Sequence, residues 1–188
     1  MPLRYLPNLV TSLRFLLIVP IISAFLEENW HVAFYLFLLA GLSDGIDGLL
    51  ARCYGWTTHL GAILDPLADK LLLMSSFIAL TCLSKMPWWL TSVLVARDLW
   101  IMSGTLIYRF WVGSLDYKPI WISKLNTVLQ LVFISLLLIH FGFWPLPSLL
   151  LHSVSMLMFT TTLISFIQYT YLWGNRVFHA INQSTCSK

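Results

Sequence analysis

Four aspartates carry the chemistry that this chain's residue types and spacing allow. Asp44, Asp47, Asp65 and Asp69 lie within the stretch SDGIDGLLARCYGWTTHLGAILDPLADK, residues 43–70, and are four of the eight acidic residues in the protein. The first two are three apart and the last two four apart, spacings that put each pair on one face of a helix. Apolar runs flank the stretch on both sides. A carboxylate at membrane depth costs about 2.5–3.5 kcal/mol on insertion scales, so a cluster of them implies a partner. Two divalent cations about 3.5–4 Å apart would neutralise such a cluster and create a phosphate-transfer site. Mg²⁺, or else Mn²⁺, suits an all-oxygen shell completed by water and substrate phosphate. No His or Cys stands at ligand spacing from the aspartates, which argues against zinc. Gly45, Gly48 and Gly61 leave room for a ligand near the backbone, and Arg52, one turn beyond Gly48, can meet a phosphate in bidentate fashion. Spacing alone leaves two other readings open. One is the proton or cation pathway of a transporter. The other is a structural ion-pair set using Lys70, Arg52 and Arg97.

The elements that must position these residues are apolar. The 188 residues are 59% hydrophobic and only 10% charged, against about 45–50% and about 25% in a soluble domain. That balance predicts an integral membrane protein of the all-α class. The formal net charge of +3 is too small to argue for nucleic acid. Cys53, Cys82 and Cys186 lie far apart without CxxC spacing, so they show neither a disulfide framework nor a zinc site. No linker separates two domains, and residues 1–188 read as a single one.

A spanning helix needs about 20 mostly apolar residues. Six runs qualify: roughly Val10 to Leu26, Trp30 to Ala51, Leu60 to Leu83, Trp88 to Trp111, Ile122 to Phe143 and Pro147 to Trp173, the last followed by a polar tail. A short interfacial leader, Met1 to Asn8, precedes the first. The expected architecture is a polytopic bundle of six transmembrane helices, with spans two and three as antiparallel neighbours joined by a short loop. Basic residues mark the cytoplasmic side. Arg4, Arg14, Arg52, Arg109, Lys118, Lys124, Arg176 and Lys188 fall on one side, and only Lys85 on the other. Both termini and the aspartate loop are therefore predicted cytoplasmic. With no transit peptide or cleavage site at the start, the expected home is a bacterial plasma membrane. Tryptophans near the span ends, such as Trp30, Trp88, Trp121 and Trp144, fit interfacial belts.

The pattern Asp44-x2-Asp47-Gly48-x2-Ala51-Arg52-x8-Gly61-x3-Asp65-x3-Asp69 resembles the full signature of the CDP-alcohol phosphatidyltransferases. The opening PNLVTSLRF, Pro7 to Phe15, is similar to that family's N-terminal helix. The resemblance implies an enzyme of phospholipid synthesis that moves a phosphatidyl group from CDP-diacylglycerol to an alcohol and releases CMP. It implies that Asp44, Asp47 and Asp65 hold one metal ion, and Asp44, Asp65 and Asp69 a second. Gly48, Arg52 and Thr58 would contact the CDP part of the donor, and Asp69 would act as general base. It also implies a homodimer in the bilayer.

The acceptor must be read from the second half. Ala96-Arg97-Asp98, Tyr108-Arg109 and Ser123-Lys124-Leu125-Asn126-Thr127-x2-Gln130 together are similar to the cardiolipin synthases of the CDP-alcohol type. Phosphatidylglycerophosphate synthases look similar overall, but more often carry a second lysine where Asn126 stands. Glycerol 3-phosphate brings a dianion that wants two or three cationic donors. Phosphatidylglycerol brings one phosphodiester charge. Arg109, Lys118, Lys124 and Asn126 are the expected acceptor contacts, with phosphatidylglycerol preferred over glycerol 3-phosphate. Arg97 with Asp98 also reads as a structural pair, and Asn126 with Gln130 as glue between helices.

Overall fold

The computed structural model describes the backbone of residues 6–54, 61–112 and 121–186, and the side chains of 14–43, 67–104 and 121–172. These residues form six helices and, among them, no strand: α1 (Leu6–Leu26), α2 (Trp30–Tyr54), α3 (Gly61–Cys82), α4 (Trp88–Val112), α5 (Trp121–Gly142) and α6 (Ser148–Cys186). The starts of α2 and α4 coincide with the apolar runs read from sequence. At about 1.5 Å per residue, even the 21 residues of α1 reach across the hydrocarbon thickness of a bilayer. Among the described residues two helices are both long and apolar enough to cross one, Trp121–Gly142 and Ser148–Leu172. The described apolar parts of α1 and α2, Arg14–Leu26 and Trp30–Ser43, are shorter, and α3 and α4 carry charges in their described parts.

Two boundaries differ from the sequence reading. The leader is helical from Leu6, because Pro7 sits in the first turn, where its missing N–H costs nothing. The polar tail after Trp173 is not a separate tail: α6 continues to Cys186. Gly174 alone costs a helix only about 1 kcal/mol, and no proline follows to end it.

The helices close into a circuit. α1 packs on α2 and α3, α2 on α5, α5 on α6, α6 on α4 and α4 on α3, with α3 touching α5 across the middle. Over the described residues α2 and α3 are not direct neighbours; α1 lies against both. Their short connection constrains only the ends it joins, and α1 takes the groove behind them. Phe25, Phe37, Phe77, Leu94, Ile134 and Met158, one from each helix, are buried in the core. The exterior is apolar too, with Leu16, Val19, Leu42, Leu149 and Ile167 among its exposed side chains.

The end of the bundle remote from the aspartates is tied by tight helix caps. Asn29 N–H bonds Ala24 C=O at 2.9 Å and Lys85 N–H bonds Leu80 C=O at 3.0 Å, each the six-to-one bond of a helix stop. The residue before each, Glu28 at φ 52° and Ser84 at φ 57°, is left-handed. The caps bring Lys85 Nζ to 3.7 Å from Glu28 Oε2. The same ammonium lies 5.6 Å from the Trp30 ring centre and 5.0 Å from that of Phe141. Gly142 closes this corner, since a Cβ there would stand 3.1 Å from Trp30 Cβ.

Towards the other end the ties are polar and internal. Lys70 Nζ donates to Asp98 Oδ1 at 2.7 Å, and Arg97 Nη1 donates to the same oxygen at 2.6 Å. Arg97 Nη2 donates to Ser123 Oγ at 2.9 Å and to Ser165 Oγ. Arg97 and Asp98 are only 1% and 2% exposed. This cluster joins α3, α4, α5 and α6. A second tie, Thr161 and Thr162 hydroxyls donating to Asn126 Oδ1 at 3.0 and 2.8 Å, joins α5 to α6.

Removing one partner of a buried ion pair strands the other charge. Asp98→Asn is therefore expected to lower the unfolding free energy in detergent by about 3–5 kcal/mol, and a loss below about 1 kcal/mol would show that the cluster does not hold the bundle. The left-handed turns give a second expectation. Ser84→Gly should raise that free energy by about 0.5–1 kcal/mol, while Ser84→Val lowers it, because only glycine adopts positive φ without steric cost. No gain with glycine would mean that the turn is unstrained.

Candidate functional site

The four aspartates sit on helices that flank one connection, residues 55–60. Asp44 and Asp47 lie in the last three turns of α2, and Asp65 and Asp69 in the first three turns of α3. Because both segments are α-helical, each pair shares a face. Apolar sequence forms these helices. Pro66 is the sixth residue of α3, just past the first turn, so its missing N–H forgoes one bond of the helix ladder.

Asp69 is the member of the quartet whose side chain is described. Its carboxylate is 36% exposed, and Arg14 of α1, 3% exposed, donates from Nη1 to its Oδ1 at 2.6 Å. Asp69 and Lys70 are adjacent on α3 yet serve different neighbours, since successive helical residues point about 100° apart. Asp69 meets α1, and Lys70 meets Asp98 of α4. The side chains of Asp44, Asp47, Arg52, Asp65 and Arg109, and the position of Gly48 relative to them, lie outside the described residues, as do Thr58 and Lys118 entirely. Accordingly, no group of three His, Cys, Asp or Glu comes together among the described residues. The donor set itself, four carboxylates with no His or Cys at ligand spacing in the sequence, fits a hard divalent cation.

The expected acceptor contacts fall into two environments. Lys124, in the first turn of α5, is exposed. Asn126 is fully buried, with Oδ1 accepting from both threonines of α6. That is the bonding of glue between helices. Gln130, one turn on, is buried as well. Lys70 and Arg97, read from sequence as members of a structural ion-pair set, do form one through Asp98.

Sequence reasoning missed the partner of Asp69. Arg14 was counted only as a basic residue marking one side of the membrane. The signal was present: an arginine within an apolar helix demands a counter-charge, and the nearby helices offer few.

The CDP-alcohol phosphatidyltransferase family model matches residues 4–178. The chain is 37% identical over 138 residues to a protein of Mycobacterium tuberculosis named as a probable phosphatidylglycerophosphate synthase, covering 70% of this chain and 64% of that one. It is 33% identical over 148 residues to the rat cardiolipin synthase (CMP-forming), covering 69% and 48%. It is 32% identical over 149 residues to the Escherichia coli CDP-diacylglycerol–glycerol-3-phosphate 3-phosphatidyltransferase, covering 74% and 79%. The match thus takes in under two thirds of the mycobacterial protein and about half of the rat one. With the aspartate quartet on two helices around one connection, and the family model spanning nearly all of the sequence, this chain belongs to the CDP-alcohol phosphatidyltransferase family.

Proposed function

We propose that this protein transfers the phosphatidyl group of CDP-diacylglycerol to a glycerol-type alcohol, with release of CMP, in the synthesis of anionic phospholipids. The observation that carries this reading is the complete aspartate pattern, set on α2 and α3 on either side of one connection. All six helices cross the bilayer in this reading, their exposed leucines and valines meeting lipid, and the site and both termini face the cytoplasm of a bacterial cell. The apolar exterior supports it, since soluble proteins rarely expose large contiguous apolar patches.

Gly48 lets the donor's diphosphate approach the α2 backbone, while Arg52 and Thr58 bind its cytidine diphosphate part. Asp44, Asp47 and Asp65 would hold one divalent cation, Mg²⁺ in the first instance, and Asp44, Asp65 and Asp69 a second. When bound, these ions balance the charge of the pyrophosphate. Asp69 takes the proton of the acceptor hydroxyl as that oxygen bonds to the phosphatidyl phosphorus. The bond from this phosphorus to the CMP oxygen breaks, CMP leaves, and the proton passes from Asp69 to water. Arg109, Lys118 and Lys124 meet the acceptor's phosphate.

The acceptor assigned here is phosphatidylglycerol, giving cardiolipin. The ARD, YR and SKLNT segments support it, as does likeness to a relative named cardiolipin synthase. Glycerol 3-phosphate is the second reading, favoured by the 37% identity to a probable phosphatidylglycerophosphate synthase.

Purified protein given CDP-diacylglycerol and Mg²⁺, with phosphatidylglycerol and glycerol 3-phosphate offered in parallel, is expected to release CMP and form cardiolipin. Product lipid from glycerol 3-phosphate alone would assign the second reading. Cation or proton flux in liposomes without CMP release would replace the enzyme by a transporter. Asp69→Asn should lower turnover at least about 100-fold, the usual scale for a lost general base, while CDP-diacylglycerol still protects against thermal unfolding. Arg52→Ala should lose that protection. Near-normal turnover of Asp69→Asn would remove the general-base role.

A further inference from the structure

Arg14 is a costly residue where it stands. It lies on α1 among Phe15, Leu16, Leu17 and Ile18, and its side chain is 3% exposed. Withdrawing a guanidinium from water costs several kcal/mol even after relaxation. Ion pairs of this kind are often replaceable by apolar side chains without loss of stability, so packing alone is a weak reason for one. The partner is what sets this pair apart. Arg14 Nη1 is 2.6 Å from Oδ1 of Asp69, the carboxylate given the reacting proton above.

The two side chains stand on helices that pack firmly together, α1 and α3. The Asp69 carboxylate is 36% exposed, so without a tether it can turn between rotamers facing water. Arg14 narrows that freedom. The guanidinium is planar and always charged, and it comes from a helix whose own place is fixed by the core through Ile21 and Phe25. A carboxylate offers about four acceptor sites, so a bond at Oδ1 fixes the group without exhausting it. The neighbouring cation on α3, Lys70, is engaged with Asp98 instead. One contact that orients Asp69 thus comes from α1, a helix that carries none of the four aspartates.

We propose that Arg14 is a positioning residue for the reaction: its hold on Asp69 Oδ1 sets the direction in which that carboxylate faces the acceptor hydroxyl and the divalent cation. The proposal rests on the reading of Asp69 given under Proposed function. Groups that hydrogen-bond a metal-ligating carboxylate from outside change metal affinity or activity by about 10–100-fold when removed, and Arg14 is assigned that scale.

The test uses the full chain in detergent, with Mg²⁺ titrated by calorimetry and steady-state kinetics measured on the same preparations. Arg14→Met is expected to lower Mg²⁺ affinity, kcat or both by about 10–100-fold, with KM for CDP-diacylglycerol within about twofold. Arg14→Lys, which keeps a single charged donor, should recover part of the loss. In an Asp69→Asn background, Arg14→Met should change Mg²⁺ affinity no further. Three results overturn the proposal: Arg14→Met with unchanged kcat and Mg²⁺ affinity, Arg14→Lys as impaired as Arg14→Met, or an equal loss of Mg²⁺ affinity in the Asp69→Asn background. If Arg14→Met does not fold, Arg14→Gln takes its place with the same outcomes. Turnover by the unsubstituted protein separates the two ideas. An active parent with an unaffected Arg14→Met sinks only the role of Arg14, and a parent that releases no CMP sinks the enzyme reading.

Discussion

A charge inside an apolar bundle persists only beside an opposite charge, and in this protein the pairs that meet this condition also fix the helices around the site. Asp98 accepts from Lys70 and Arg97 at a single oxygen. Arg97 reaches on to Ser123 and Ser165, and Asp69 accepts from Arg14. Two adjacent residues of α3, Asp69 and Lys70, therefore lead to two different helices, and two adjacent residues of α4, Arg97 and Asp98, lead to three. α3 and α4 distribute the ties because each presents consecutive charged residues in directions about 100° apart. Apolar packing supplies most of the cohesion. It is non-directional, whereas the ion pairs specify which helix face meets which.

The two ends of the bundle are held by different physics. At one end, left-handed stops after α1 and α3 turn the chain sharply and fold Lys85 over Trp30 and Phe141. That end is small, aromatic and closed by a glycine. At the other end the ties lie inside the bundle, on Asp98 and Asp69.

Much of this was legible in the sequence. Apolar runs separated by short polar turns gave the helices, because each run is long enough for a span and the turns carry Glu27, Asn29, Ser84 or Pro87. The apolar runs also placed Asp44 with Asp47 on one helix and Asp65 with Asp69 on the next, as α2 and α3 show. What stayed hidden required three dimensions. The course of α6 beyond Trp173 depends on the absence of a stop signal, and polar composition resembles a tail. Adjacency in sequence suggested that α2 packs along α3, but a connection fixes only the ends it joins, and α1 packs on both. Arg14 was read through its charge, which is a property of one residue, when its role lies in a contact made across 55 positions of sequence.

Position 126 shows how fold and specificity interlock. As a sequence feature, the amide of Asn126 reads as a contact in the headgroup pocket. In the structure the Asn126 side chain is fully buried and committed through Oδ1 to Thr161 and Thr162. A lysine here would set an unpaired ammonium against α6, at a cost of several kcal/mol unless α6 also changed. The residue thus acts first on how α5 and α6 pack. In the proposed reaction, the acceptor's charge is met more cheaply by Lys124, two residues earlier and exposed to solvent, whose reach is set by the start of α5. Asn126 fixes that start against α6, while Ser123 is pinned by Arg97. In the proposed reaction, the buried polar cluster and the acceptor contact at Lys124 would be joined through one helical turn, Ser123 to Asn126.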